Sequence, residues 1–372
     1  METNIITLIH QFAIEGTCLD FEPIKSGHIN DTYLIRTIES DKPDYILQKI
    51  NNSIFLNVAE LQNNIVRVTS HIRAKLALEN SSNIDQRVIT LVPAKDEAWY
   101  CQSSPGSFWR VMKFIKDSHS YDQLSSQELA FKAGKAFGEF GALLADLPGK
   151  PLYDTIKDFH NIEWRLQQFS EALKSNPVNR ISMVGEEIKS IQERADEMCL
   201  VQKLGREGKL PKRIVHCDTK INNVLFDKSD NILCVIDLDT VMTGYVSSDF
   251  GDAIRTGTNT GAEDDPDLEK VSMNLELFQG FAEGYITGGA SFLTTAEISI
   301  LPFSAKLFAY MQAVRFLTDF INGDTYYKIH SPYHNLQRTK AQLKLLFSME
   351  DQYPAMCEIV NKVAKEKCMN YA

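Results

Sequence analysis

The chain lacks most features that would commit it to a membrane, a nucleic acid or an oxidising compartment. No stretch of its 372 residues approaches the roughly 18 uninterrupted apolar residues of a spanning helix. The start carries Glu2, no positive run, and an apolar stretch too short and interrupted for a secretory signal. The seven cysteines are odd in number and scattered without C-x-x-C pairs, so they suggest neither a disulfide framework nor a zinc site. Lys and Arg number 39 against 49 Asp and Glu, a net charge of −10, so the basic face that nucleic acid requires is missing. The same balance argues against anionic membranes. Repeats, linkers and low-complexity segments are also absent. These absences predict a soluble, cytoplasmic protein, a monomer or homodimer, with no nucleic-acid or membrane partner.

What is present is an ordinary globular composition, 44% hydrophobic and 24% charged, in a chain long enough for two lobes. The first part reads as strands. Leu19 to Ile24 and Thr32 to Ile38 flank a polar turn, Ser26-Gly27-His28-Ile29-Asn30-Asp31, and Tyr45 to Ile50 follows. Apolar residues at Ile54, Val58, Leu61, Ile65, Val68 and Ile72 mark one amphipathic helix to about Ala77. Arg87 to Val92, Ala98 to Gln102 and Phe108 to Phe114 read as further strands. After Ser118 the pattern becomes helical: Gln127 to Leu147, Phe159 to Leu173, Glu186 to Gly205, then blocks over 267–288, 294–322, 331–348 and from about 350. Small residues Gly134, Gly138 and Gly141 predict close helix packing. The fold class is therefore α+β, a small antiparallel β lobe with one helix (1–115) and a larger, mainly helical lobe (116–372).

The chemistry is concentrated in Ile214 to Asp239. Ile214-Val215 leads into His216-x-Asp218-x-x-x-x-Asn223, and two short apolar runs follow, Val224 to Phe226 and Ile232 to Ile236. The polar Asp227 to Asn231 between them predicts a hairpin. It would bring Asn223 beside Asp237 at one end, with Asp218 on the loop just before. Mg²⁺ takes one or two carboxylates plus substrate phosphates, so an Asn amide oxygen and an Asp carboxylate suffice. A separate carboxylate must accept the acceptor hydroxyl's proton, and in the protein-kinase template this Asp stands five residues before a metal-binding Asn. The expected roles are Asp218 as base and Asn223 and Asp237 as metal ligands. Asp249-Phe250-Gly251 imitates a kinase metal triplet but has no strand leading into it, so Asp249 is expected to order the catalytic loop. In the first lobe, Gly27 and Asn30 are expected over the phosphates, and Lys49 to meet the α- and β-phosphates or to be an ordinary strand lysine. Glu60 or Asn64 could pair that lysine. Met112 to Phe114 would lie along the adenine.

This pattern resembles the aminoglycoside phosphotransferase and choline kinase superfamily, whose members share a protein-kinase-like two-lobed fold and phosphorylate small molecules. More narrowly, five stretches look like the N-acetylhexosamine 1-kinases. They are Gly27 to Tyr33, Leu47 to Asn51, His216 to Asp227, Asp237 to Asn259, and Val314 to Asp319. Cys217 stands where the superfamily usually has a smaller residue, and no clear helix glutamate is present. The resemblance implies ATP and Mg²⁺ as cofactors and the anomeric hydroxyl of N-acetylglucosamine or N-acetylgalactosamine as acceptor. It implies Asp239 as a further metal or supporting group, and Arg315, Asp319 and His28 (with Arg255 a weaker candidate) as acceptor-binding residues. The alternatives are another small alcohol, such as an aminoglycoside, choline, ethanolamine or homoserine, or a non-catalytic binding module.

Overall fold

A computed structural model describes residues 5–24 and 30–368. Along the chain, α1 (Ile5–Ile9), β1 (Cys18–Ile24), β2 (Asp31–Thr37), β3 (Tyr45–Ile50), α2 (Val58–Leu78), α3 (Ile84–Arg87), β4 (Leu91–Val92), β5 (Cys101–Ser104), β6 (Ser107–Lys113) and β7 (Ser118–His119) come first. The helices α4 (Gln127–Leu144), α5 (Ile162–Ser175), α6 (Gly185–Met198) and α7 (Leu200–Arg206) follow. Next come β8 (Arg213–Val215), β9 (Val224–Asp227), β10 (Ile232–Val235), β11 (Met242–Gly244) and α8 (Ser247–Gly257). The chain finishes with α9 (Leu275–Gly289), α10 (Thr295–Ser299), α11 (Leu301–Ile321), α12 (His334–Asp351) and α13 (Tyr353–Cys368). Among the described residues no helix is long and apolar enough to cross a membrane.

The chain divides into two compact units. The first takes the residues up to 120, together with 146–157 and 224–242. Its main sheet is antiparallel and six-stranded, in the order β1-β2-β3-β6-β4 with β5 also paired to β6. One face buries Ile35, Tyr45, Leu47, Trp109 and Val111 against Leu8, Ile9 and Phe12 from the leading segment. The expected helix from Ile54 starts instead at Val58, because the Asn57 side chain accepts the Glu60 amide and caps it there. Of the expected strand from Arg87, the first residue ends the short helix α3, whose Asp85 ion-pairs with Arg73 of α2 at 2.7 Å, and only Leu91–Val92 is strand. The predicted hairpin is β9–β10, with Val224 opposite Val235 and Phe226 opposite Ile232. Its turn is closed by Asp227, whose carboxylate accepts the Ser229 and Asn231 amides.

The second unit takes 121–145, 158–223 and the residues from 243 on. It is built around α11, which is buried along nearly its whole length and packs against α5, α8 and α12. The helices α4 and α9 approach to backbone contact. A Cβ on Gly134 or Gly138 would strike the carbonyls of Phe281 and Tyr285, and one on Gly280 or Gly284 those of Gln127 and Phe131. The close packing expected of the α4 glycines is what the fold uses. The predicted helix Glu186 to Gly205 is broken into α6 and α7 at Cys199.

Candidate active site

In the helical unit, β8 ends at Val215 and the chain turns sharply through His216 and Cys217. The turn is held from α8. Asp249, in its first turn, accepts the His216 amide at 3.0 Å and the Cys217 amide at 2.8 Å, and its own carbonyl accepts the Thr219 hydroxyl at 2.6 Å. Cys217 adopts φ +63°, a left-handed conformation that favours glycine, and its small side chain is buried there. His216 is buried edge-on against the rings of Phe137 and Phe140. Burial pushes the Asp249 carboxyl up from 3.8 to about 6, although His216 and the two backbone donors pull the other way. Asp249 thus shapes the loop. Phe250 beside it packs edge-on against Phe278, Phe281 and Tyr285, and Gly251 lets α8 lie against Ser304 and Phe308. The kinase-like triplet is a packing and loop-ordering device.

The loop presents Asp218. Asn223 donates its amide group to the Asp218 carbonyl at 2.9 Å and to the carboxylate at 3.3 Å. Lys220 sits 3.1 Å from the other Asp218 oxygen. Burial works to lower the Lys220 pKa, and the fields of Asp218 and Asp252 outweigh it and raise it. Asp252 is buried one turn after Asp249 and pairs with Arg255 at 2.9 Å, and Arg255 also binds Glu263 at 2.7 Å. Burial opposes ionisation of Asp252, but Arg255 and Lys220 hold its pKa low. Lys220 and Asp252 were not singled out from the sequence. Their signal was there, in the two-residue step from Asp218 and the three-residue step from Asp249 along one helix face.

In the sheet unit, Asp237 follows the hairpin at φ +60° and leads into a short 3₁₀ turn, Leu238–Thr240. Asp239 on that turn is buried and fully engaged. It ion-pairs with Arg110 of β6 and accepts the Asn30 side chain at 2.6 Å. Of the two roles expected of Asp239, a further metal group or a supporting one, these contacts are those of a supporting group. Asn30, expected at the phosphates, is committed at its other end as well, accepting the Asn51 amide at 2.9 Å. Lys49 lies opposite Trp109 in the β3–β6 register, so it shares the face that carries Leu47 and Val111. The opposite face carries Gln48 and Arg110, paired across the strands. Asn64 of α2 accepts the Tyr153 amide at 3.0 Å and donates to the carbonyls of Tyr153 and Val241, which removes it as a partner for Lys49. Met112 is paired between Ile46 and Leu91, and the Phe114 amide donates to the Asp44 carbonyl at 2.8 Å. Gly27 and His28 lie outside the described residues.

Returning to the helical unit, Arg315 of α11 lies between the rings of Phe159 and Tyr327, at 5.4 and 5.5 Å from their centroids, and donates to Gln312. Arg165 is nearby, its Nε buried without a partner, and burial lowers its pKa to about 10. His160, whose Nδ1 is also enclosed without a partner, is lowered to about 3 by burial, with Arg315 and Arg165 adding to the effect. Neither Arg165 nor Arg315 has a carboxylate within ion-pair distance among the described residues. Asp319 differs from expectation. Its oxygens accept the amides of Thr325, Tyr326 and Tyr327 and the Asn335 side chain, so it shapes the loop that carries Tyr327 and has no capacity left for an acceptor. Arg255 is likewise committed to its two carboxylates.

Among the described residues no group of three or more His, Cys, Asp or Glu could enclose a metal. Asn223 in the helical unit and Asp237 in the sheet unit each carry the kind of oxygen donor that a hard ion takes. A profile described as the phosphotransferase enzyme family matches residues 20–281. The chain belongs to this family. Solved structures agree on the fold. An aminoglycoside phosphotransferase from Alicyclobacillus acidocaldarius subsp. acidocaldarius has a TM-score of 0.58 at 10% identity, covering 97% of this chain and 98% of that one. A microcompartment-associated aminopropanol kinase gives 0.55 at 14%, covering 95% and 97%. A spectinomycin phosphotransferase in complex with ADP and spectinomycin gives 0.54 at 13%, covering 92% and 95%. The phosphotransferase chain thus has the kinase-like fold, an antiparallel-sheet unit and a helical unit.

Proposed function

We propose that this phosphotransferase is an ATP- and Mg²⁺-dependent kinase of a small-molecule alcohol, and that its acceptor is the anomeric hydroxyl of N-acetylglucosamine or N-acetylgalactosamine. The observation that carries the kinase reading is the loop around Asp218. Its backbone is fixed by Asp249, and its carboxylate is flanked by Lys220 on one oxygen and the Asn223 amide on the other. A positioned carboxylate of this kind takes the hydroxyl proton as the oxygen attacks and holds that oxygen in line. Lys220 lies against one oxygen of the base, and the fields of Asp218 and Asp252 keep the lysine charged. Asn223 and Asp237 would hold the metal, which would neutralise charge on the transferring phosphates. The sheet unit is the proposed nucleotide-binding part, with Gly27, Lys49, Met112 and Phe114 its candidates. The helical unit would take the acceptor.

The acceptor reading draws on Arg315 and Arg165. Two guanidinium groups without carboxylate partners, beside Phe159 and Tyr327, suit a neutral, oxygen-rich acceptor such as an acetamido sugar. They disfavour a cationic one such as choline or an aminoglycoside. Asp218→Asn should keep the fold and bind nucleotide, while turnover falls by at least ~10²-fold, the usual contribution of a positioned acid–base group. Turnover measured by nucleotide release against a panel of sugars tests this, and a near-normal rate in the variant would remove Asp218 from the role.

A further inference from the structure

Asp237 stands at the end of the β9–β10 hairpin, which β7 extends to a small three-stranded sheet, in a conformation that costs a non-glycine residue energy. Such a conformation persists only where the surroundings over-determine it. Within the sheet unit, three attachments meet on the turn that follows it. Arg110 reaches Asp239 from β6, Asn30 reaches the same carboxylate, and Asn64 of α2 donates to the Val241 carbonyl at 3.1 Å. Arg110 is itself aimed by Gln48 of β3, whose amide oxygen accepts Nε at 2.9 Å and Nη2 at 2.5 Å, while its amide group donates to Thr32 at 3.0 Å. The guanidinium fork therefore ties β3 and β6 to the Asp237 turn, and both ends of the Arg110–Asp239 pair are buried.

A buried ion pair is weak evidence of added stability, since well-packed apolar residues often do as well; fixing one arrangement is its best-attested use. In protein kinases a strand lysine and a helix glutamate must be paired for the phosphate site to be in order. Here Lys49 lies on the other face of the sheet and Asn64 is bound to backbone, so the cation on the face that meets the Asp237 turn is Arg110. We propose that Arg110 is the positioning residue for Asp237, holding that carboxylate in its metal-binding attitude through Asp239. The inference rests on the reading of Asp237 as a metal ligand.

The test is the Mg²⁺ concentration that gives half-maximal ADP binding, titrated calorimetrically for wild type, Asp237→Ala, Arg110→Met and the charge-balanced double variant Arg110→Met/Asp239→Asn. Groups supporting a metal ligand typically contribute 10–100-fold to metal affinity, so both Arg110 variants should need about tenfold more Mg²⁺ or beyond. Metal-free ADP binding should stay near wild type. The double variant should regain part of the Tm lost in Arg110→Met, which keeps the test informative if the single variant folds poorly. A double variant with wild-type Mg²⁺ dependence would reduce the pair to charge balance and overturn the proposal. If Asp237→Ala itself leaves the Mg²⁺ dependence unchanged, the reading of Asp237 fails, and the proposal with it.

Discussion

Asp249 carries the tightest local constraint near the proposed base. Two adjacent backbone amides point at one carboxylate, which an asparagine could satisfy only in part, because its amide group would face an N–H. Burial holds the carboxyl up at about 6 from 3.8, so the folded chain binds this proton more tightly than the unfolded one. Its contribution to stability is therefore full below about pH 3.8 and is lost as pH rises through about 6. Asp249→Asn removes that titration. The Tm advantage of wild type over the variant should be larger near pH 4.5 and smaller near pH 7, the window set by about those two values. Parallel Tm profiles for the two proteins would show that Asp249 does not titrate in this range. Turnover should fall only moderately, because the variant loosens the loop without removing the base.

At the scale of elements, the α4–α9 seam is the most demanding contact in the helical unit. Gly284→Ala would place a methyl group against the Phe131 carbonyl, with Lys135 backbone next to it. The two helices would have to separate, and overpacking of this kind costs roughly 1–3 kcal/mol. Urea denaturation should show that loss with an unchanged m-value, and an undiminished midpoint would mean the helices are less closely apposed. Elements with strong local signals were legible in the sequence. The helix α2 has its apolar stripe, α4 has small glycines that predict close packing, and the hairpin has the polar Asp227 to Asn231 at its turn. In contrast, α8 was not foreseen. It buries Asp249, which holds the distant loop at His216 and Cys217, and Asp252 and Arg255, which pair with each other on the helix, so that their charges disguise a core helix. The same limit applies to the site. Asp218 and Asn223 are neighbours in sequence, and their spacing could be read. The face of Arg110, the engagement of Asn30 and the commitment of Asp319 depend on strand register and loop contacts that no short window contains.

For the whole molecule, a net negative charge and a candidate acceptor region holding two arginines without carboxylate partners among the described residues point in opposite electrostatic directions. A net charge of −10 would favour a cationic ligand at long range. The groups beside Phe159 and Tyr327 favour oxygen acceptors at contact. The local chemistry should decide specificity, because the desolvated polar groups lose about 1–3 kcal/mol each when a ligand leaves them unpaired. On that basis kcat/KM for N-acetylglucosamine or N-acetylgalactosamine should exceed that for glucose by roughly 10-fold or more. Arg315→Ala should shrink this ratio more than it alters ATP affinity. Competition assays, with phosphorus NMR to locate the phosphate, check both. Phosphate on O6, or preference for a cationic alcohol, would replace the sugar 1-kinase reading and leave a kinase.

The way the chain is threaded has a consequence for how the protein is made. The sheet unit is not finished at residue 120; it also needs 146–157 and 224–242. Its buried set includes Leu152, Val224, Phe226 and Val235 from those later segments. On the ribosome, the first strands emerge well before the hairpin that completes them, and all of α4 to α7 is synthesised in between. The sheet must wait with part of its apolar surface uncovered while helices of the other unit begin to form. Folding by whole lobes in order of synthesis is thus closed to this chain, and its nascent form is exposed to misassembly for longer than the finished architecture suggests.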